Sequence, residues 1–133
     1  MNKKRVATTA VATAAAGALV AVPLVALTAG PAFADKERNG SCSKGGTYEF
    51  SVDKENGGFE VDSEVDTRTA GVQWRITVKH DGKIATRVVR TTDREGEVSR
   101  DIWRKNTAGK DHFVLRAKNL SNGSVCSASI TAR

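Results

Sequence analysis

Side chains that commonly perform acid–base or metal chemistry are scarce in this sequence. It contains two histidines, His80 and His112, and no recognisable motif surrounds either of them. His80 falls in an Asp-Gly turn and His112 at the start of a strand pattern, so we expect two exposed imidazoles without a catalytic role. The sequence also lacks the short motifs of serine hydrolases, zinc proteases, phosphate loops and calcium loops. We therefore predict that the protein is not an enzyme and has no cofactor and no metal site.

One group of carboxylates has a regular spacing. Glu60, Asp62, Glu64 and Asp66 alternate with other residues, so in a strand they would lie on one face about 7 Å apart. Such a row could recruit divalent cations. Calcium, however, requires six to eight oxygens that converge on one point, and a strand spreads its carboxylates out. We expect a solvated strand edge, or cross-strand pairing with Lys or Arg.

The first 34 residues have the pattern of a secretory signal peptide. Three of the first five residues are basic, 29 residues without a charge follow, and the segment ends in Ala32-Phe33-Ala34. Small residues at the first and third positions before the cut suit signal peptidase, so we predict cleavage after Ala34 and a secreted, extracellular protein. The leader is rich in Ala, Val and Thr and resembles those of high-GC Gram-positive bacteria. The alternative is an uncleaved N-terminal membrane anchor, although Pro23 interrupts the apolar run.

Residues 35–133 are then one small, polar domain. They hold 18 Lys and Arg against 15 Asp and Glu, and 30 apolar residues out of 99. This length fits a single core built on sheets. It excludes a dinucleotide-binding domain and a two-domain enzyme with a cleft between the domains.

The two cysteines, Cys42 and Cys126, lie near opposite ends of this domain. In an exported protein, two thiols most often form one disulfide. Closing a ring of 85 residues would restrict the unfolded chain by about 4.5 kcal/mol, a large share of the stability of a small domain. A metal pair or a redox-active dithiol is the alternative, but neither a Cys-x-x-Cys spacing nor a nearby His supports it.

The domain is patterned as strands throughout. It has 23 Val, Ile and Thr residues but two Leu, a bias that favours strands. The clearest strand is residues 72–79, in which Trp74 and other apolar residues alternate with polar ones, and Asp81-Gly82 after it predicts a type I′ hairpin. Seven strands are expected, at 47–52, 59–66, 72–79, 84–90, 97–103, 112–118 and 124–131. Their regular turns predict an all-β fold, an antiparallel β-sandwich with one disulfide. Residues 35–45 are expected to form an arm held by Cys42.

Two segments of the sequence resemble parts of known domain families. Val72-Gln73-Trp74 followed by Asp81-Gly82-Lys83, and Phe113–Asn119 followed by Gly123, resemble the third strand and the late hairpin of immunoglobulin-like and fibronectin type III-like domains. The resemblance implies an immunoglobulin-like sandwich in which the second strand lies in one sheet and the third and sixth strands lie in the other. It implies no particular function, because such folds carry many.

Charge is segregated along the domain. Residues 49–66 contain seven acids and one base, whereas residues 68–133 contain 14 bases and six acids. In the implied topology the two groups become opposite faces, and four cations come together on one of them: Arg75, Lys79, Arg116 and Lys118. Such a like-charge arrangement costs stability. An anionic wall polymer, an acidic protein or a second copy docked acidic face to basic face would relieve it, and so would salt in the solvent.

Trp103 follows Ile102, so one of the two must leave the core unless a bulge intervenes. An exposed Trp103 among basic neighbours could anchor a partner, and the alternative is a ring packed in the core or under a loop. No nucleic-acid partner is expected, because stacking on bases needs more exposed aromatic residues than this one.

We therefore expect a secreted, non-enzymatic binding module that contacts an anionic wall polymer or protein partner through a basic sheet face. The candidate binding residues are Arg75, Lys79, Arg116, Lys118 and Trp103. The alternative is an inhibitor of an extracellular hydrolase, a protease or a glycosidase, that uses a protruding loop at 91–96 or 105–110.

Overall fold

A computed structural model describes residues 36–133, and the predicted leader lies outside these residues. The eight strands are β1 (Lys36–Ser41), β2 (Thr47–Glu55), β3 (Gly58–Asp66), β4 (Gln73–His80), β5 (Lys83–Thr91), β6 (Glu97–Lys105), β7 (Asp111–Asn119) and β8 (Val125–Ala132). This part of the chain contains no helix that is long and apolar enough to cross a membrane. The all-β class is confirmed. Seven strands lie close to their predicted bounds, and β1 is an eighth strand where an arm was expected.

The strands form two sheets of four. Sheet A has the order β1-β2-β3-β6, and sheet B has the order β5-β4-β7-β8. All neighbouring strands are antiparallel. Apolar side chains from both sheets form one buried cluster between them, so the predicted antiparallel β-sandwich is confirmed.

Aromatic side chains fill the centre of this core. Trp74, Phe50, Phe59 and Phe113 are fully buried. The rings of Phe59 on sheet A and Phe113 on sheet B meet edge to face, with their centroids 5.5 Å apart. Because successive side chains of a strand point to opposite faces, the residues between these core positions point outward. The alternation that builds the core therefore also determines the character of the two outer faces.

The predicted disulfide between Cys42 and Cys126 is present and joins the two sheets at one edge of the sandwich. Cys42 directly follows β1 of sheet A, and Cys126 lies on β8, the edge strand of sheet B. Strand β1 is also fastened to this edge, because the Lys36 ammonium donates a hydrogen bond to the carbonyl of Thr131. A disulfide of this kind is typical of proteins in an oxidising compartment.

The predicted hairpin between β4 and β5 is also present. Asp81 and Gly82 both adopt positive φ angles, 53° and 84°, as a type I′ turn requires. The Asp81 carboxylate accepts a hydrogen bond from the backbone N–H of His112 at 2.7 Å, and this bond holds the pKa of the Asp81 carboxyl below its usual range. The turn is thereby tied to the start of β7.

Candidate functional site

The outer face of sheet B is basic. Arg75 on β4 lies opposite Lys118 on β7, and Thr77 lies opposite both Arg87 on β5 and Arg116 on β7. Side chains that are directly opposite in antiparallel strands share a face. Five exposed cations therefore form one surface, which we call the basic face: Arg75, Lys79, Arg87, Arg116 and Lys118. Within residues 36–133, no Asp or Glu occupies an outward position on these four strands.

The basic face is concave. A groove of about 590 Å³ runs over it and is lined by the five cations together with Thr77 and Val114. Arg87 Nε donates a hydrogen bond to the Thr77 hydroxyl at 3.4 Å. None of the five cations forms a salt bridge within the described residues. Ile84 and Val89, on the edge strand β5 beside the groove, are 49% and 47% exposed, so the basic face offers positive charge and some apolar surface to a partner.

Four of the predicted binding residues are brought together here, and the fifth is not. Arg75, Lys79, Arg116 and Lys118 line the groove, whereas Trp103 lies on the opposite sheet. Arg87 was missed, because the segment that contains it has apolar residues at both alternating positions and its outward face could not be identified.

The outer face of sheet A is acidic. The row from Glu60 to Asp66 lies on β3, an interior strand between β2 and β6, so the prediction of a strand edge or of pairing with Lys or Arg was wrong. Each carboxylate of this row has one acidic cross-strand neighbour; Glu64, for example, lies opposite Glu49, and Asp62 lies opposite Asp101. The acidic face consists of ten outward carboxylates: Glu37, Glu49, Asp53, Glu55, Glu60, Asp62, Glu64, Asp66, Glu97 and Asp101. Lys105 is the one cation at an outward strand position of this sheet within the described residues.

Crowding on the acidic face changes the protonation of its central carboxylates. Partial burial, followed by the charge and the hydrogen bond of Asp101, raises the pKa of Asp62 to about 6. Burial and the charges of Glu97 and Glu49 also raise the pKa of Glu64. All these neighbours act in the same direction. Asp62 therefore takes up a proton near pH 6, and the face becomes more negative above that pH.

Trp103 projects from the acidic face. Its side chain turns outward and is 46% exposed, while Ile102 turns inward and packs against the core. The indole N–H donates to the carbonyl of Glu55 at 3.1 Å. The ring lies over Gly58, where an added Cβ would come within 2.5 Å of an indole carbon. The ring is therefore held in one position and still offers a surface to a partner.

His80 is buried, contrary to the prediction of an exposed imidazole, with an exposed fraction of 7%. Its ring stacks on Phe113 at a centroid distance of 4.4 Å. Its Nε2 lies 2.6 Å from Oδ1 of the fully buried Asp111, and Arg104 Nε donates to Nδ1 at 3.5 Å. Since Nδ1 accepts, Nε2 carries the proton that is donated to Asp111. Both ring nitrogens are engaged, and His80 fastens β4 to β7. His112 is exposed, as predicted.

His80, Asp81 and Asp111 form a group whose potential metal-ligating atoms lie within 4.8 Å of one another. The Thr107 hydroxyl donates to Asp111 Oδ1 at 2.7 Å and lies 3.3 Å from Asp81 Oδ2. A metal ion would have to displace the proton between His80 and Asp111 and also the Thr107 hydroxyl. The cluster is therefore already satisfied by hydrogen bonds, which hold the loop before β7 in place.

The loops considered for an inhibitor are short polar turns. In residues 91–96, the Asp93 carboxylate accepts hydrogen bonds from the backbone N–H groups of Glu95 and Glu97, both at 2.9 Å. Residues 105–110 are exposed, and their side chains are small or charged. Neither loop presents an aromatic or long aliphatic side chain as an anchor, and inhibition of a hydrolase stays a prediction.

Comparisons of the chain with protein-family models, with curated protein sequences and with solved structures found no match. The geometry and charge of the described residues therefore define the candidate site. Its two parts are the basic face of sheet B and the acidic face of sheet A, with Trp103 on the latter.

Proposed function

We propose that this protein is a secreted, non-enzymatic binding module that holds an anionic polymer on its basic face. Five exposed cations in one groove, without an acidic side chain among them, are the observation that carries the proposal. Export through a signal peptide cleaved after Ala34 is part of it. The disulfide, which is typical of oxidising compartments, supports export.

The proposed scaffold is an immunoglobulin-like or fibronectin type III-like sandwich. The order β2-β3-β6 in one sheet and β5-β4-β7-β8 in the other is compatible with that topology, with β1 as an addition at the edge. Trp74, which carries the sequence resemblance, is fully buried on β4, a central strand of its sheet. Such a scaffold is rigid and presents the cations at fixed spacings.

A polymer fits the basic face better than a single small anion. An exposed ion pair contributes about 1 kcal/mol or less, so useful affinity requires several contacts at once. Arg116 and Lys118 lie about 7 Å apart along their strand, and Arg75 and Lys79 lie about 13 Å apart along theirs. A chain of repeated phosphate or carboxylate groups can reach several of these cations together. The planar guanidinium groups suit such anions, because they donate two parallel hydrogen bonds.

Retention on an immobilised polyanion tests the proposal. The purified protein is loaded on polyphosphate and on polyglutamate resins and eluted with a salt gradient. We expect the triple variant Arg75→Ser, Lys79→Ser, Arg116→Ser to elute at much lower salt than the natural protein. The matched control Lys44→Ser, Arg94→Ser, Lys110→Ser removes the same charge from exposed loops and should elute close to the natural protein.

Equal retention of the two triple variants would show that the basic face is not the binding surface. Retention that does not change with salt would also refute the proposal, since contacts between cations and a polyanion release counterions and weaken as salt rises. The two resins distinguish phosphate from carboxylate as the preferred anion.

A further inference from the structure

The two outer faces of this protein complement each other in charge. One displays ten carboxylates around Trp103, and the other displays five cations around a groove. The described basic-face cations form no salt bridge, and the neighbouring charges that act on Asp62 and Glu64, at the centre of the acidic face, are all acidic. Each face therefore has an excess of the charge opposite to that of the other face.

We propose that the acidic face of one copy docks on the basic face of the next, so that the protein associates with itself head to tail. The two faces lie on opposite sheets of the sandwich, so each contact is heterologous. A pair of molecules then leaves one acidic and one basic face free, and further copies can add at both ends. This inference shares the basic face with the proposed function but does not require a polymer ligand.

The size of the faces suits a weak, reversible contact. Four strands spaced about 4.8 Å apart, with about eight residues each at about 3.3 Å, give a flat area of about 500 Å² before side-chain relief is counted. A standard stable interface buries about 800 Å² on each partner. The expected complex therefore lies at the small end of specific interfaces, where charge strongly influences affinity and salt sensitivity.

Trp103 is suited to act as the anchor of this contact. Its ring is already held by the hydrogen bond to Glu55 and by its position over Gly58. Docking therefore costs little additional side-chain conformational entropy. The groove of the next copy is lined by Val114, which offers apolar surface, and by three guanidinium groups. An indole face against a guanidinium is a favourable cation–π contact, and Trp is frequent among the residues that dominate binding energy.

Two variants, each altered on one face, provide the test. The acidic-face variant carries Glu49→Gln, Glu64→Gln and Asp101→Asn, and the basic-face variant carries Arg75→Ser, Lys79→Ser and Arg116→Ser. All six side chains are exposed, and near-ultraviolet circular dichroism checks that both variants are folded. Analytical ultracentrifugation then measures mass from about 1 µM to about 1 mM protein, the range in which weak interfaces assemble.

We expect the mass of the natural protein to rise with concentration at low salt and to return to that of the monomer near 1 M salt, where the Debye length is about 3 Å. Each variant alone should remain monomeric. An equimolar mixture should form dimers that do not grow, because the acidic-face variant keeps its basic face and the basic-face variant keeps its acidic face. Trp103→Ala should weaken self-association at least about tenfold, the effect of an anchor residue worth about 1.4 kcal/mol or more.

Three results would overturn the inference: a natural protein that stays monomeric at low salt, a variant that still associates alone, or a mixture that stays monomeric. The acidic-face variant should bind the polyanion resins like the natural protein. Retention on the resins without self-association would therefore reject this inference alone. Self-association without retention would reject the proposed polymer ligand alone.

Discussion

Removing the disulfide should lower the free energy of unfolding by about 4.5 kcal/mol. Cys42 and Cys126 are 84 residues apart in the sequence, and a cross-link that closes a ring of this size restricts the unfolded chain by about that amount at 25 °C. For the 98 residues described here, the entropy of unfolding near 60 °C is about 0.2 kcal/mol/K. The Tm should therefore fall by about 20 °C.

Thermal and urea unfolding, with and without a reductant, measure this effect. Reduction keeps both sulfur atoms, so comparison with the double variant Cys42→Ala, Cys126→Ala separates the cross-link from the packing of the two buried side chains. The urea m-value should rise on reduction, because the released chain exposes more surface when it unfolds. A fall in Tm below about 5 °C, equivalent to about 1 kcal/mol, would refute the reasoning, because the cross-link would then restrict the unfolded chain far less than a ring of this size should.

Three further substitutions test the charge and packing of the site. Partial burial, followed by the charge and hydrogen bond of Asp101, raises the pKa of Asp62 to about 6, and Asp101→Asn removes that charge. Because this pKa lies above the unfolded value, Asp62 contributes stability as pH falls through 6 toward 4, and its contribution in the variant should be smaller. Equal changes in urea midpoint between pH 8 and pH 4 would contradict this. Asp111→Ala leaves the buried N–H of His80 without its acceptor and should cost about 1–3 kcal/mol in urea unfolding; a loss below about 0.5 kcal/mol would contradict it. Gly58→Ala places a Cβ too close to the carbonyl oxygen of Arg104 and 2.5 Å from an indole carbon of Trp103. The strand and the ring must both shift, so the substitution should cost about 1–3 kcal/mol and change the tryptophan fluorescence. An unchanged spectrum would show that the ring does not rest there.

Most of the strands could be predicted because the alternation of apolar and polar residues is local and strict. Along β4, apolar side chains alternate with polar ones, and the structure buries Trp74, Ile76 and Val78 while exposing Arg75 and Lys79. The same alternation determines which cations share a face, so the pairing of Arg75 with Lys118 followed once their strands were known to be neighbours. This part of the candidate site was therefore predictable from the sequence.

The errors arose where contacts distant in sequence determine the local structure. The sequence around His80 predicts a turn, but the burial of His80 depends on Asp111 and Arg104, which are 31 and 24 residues away. Strand β1 has no apolar alternation and is mostly exposed; its extended conformation follows from pairing with β2 and attachment to β8. Arg87 lies beyond a register shift at Val78 and Lys79 that local periodicity does not reveal.

In the acidic row, the strand order determines whether neighbouring carboxylates repel one another. Asp62 and Glu64 would be ordinary solvated residues on an edge strand, but on an interior strand Glu64 lies opposite Glu49 of one neighbouring strand and Asp62 lies opposite Asp101 of the other. The carboxylates of three neighbouring strands therefore repel one another. The chain order β2-β3 in one sheet and β4-β5 in the other converts charge separation along the sequence into two faces of opposite sign. Because each face is destabilised by its own charge, binding of an opposite charge relieves repulsion as well as forming new contacts. The physical basis of both proposals is therefore the same, and a polyanion should compete with self-association for the basic face.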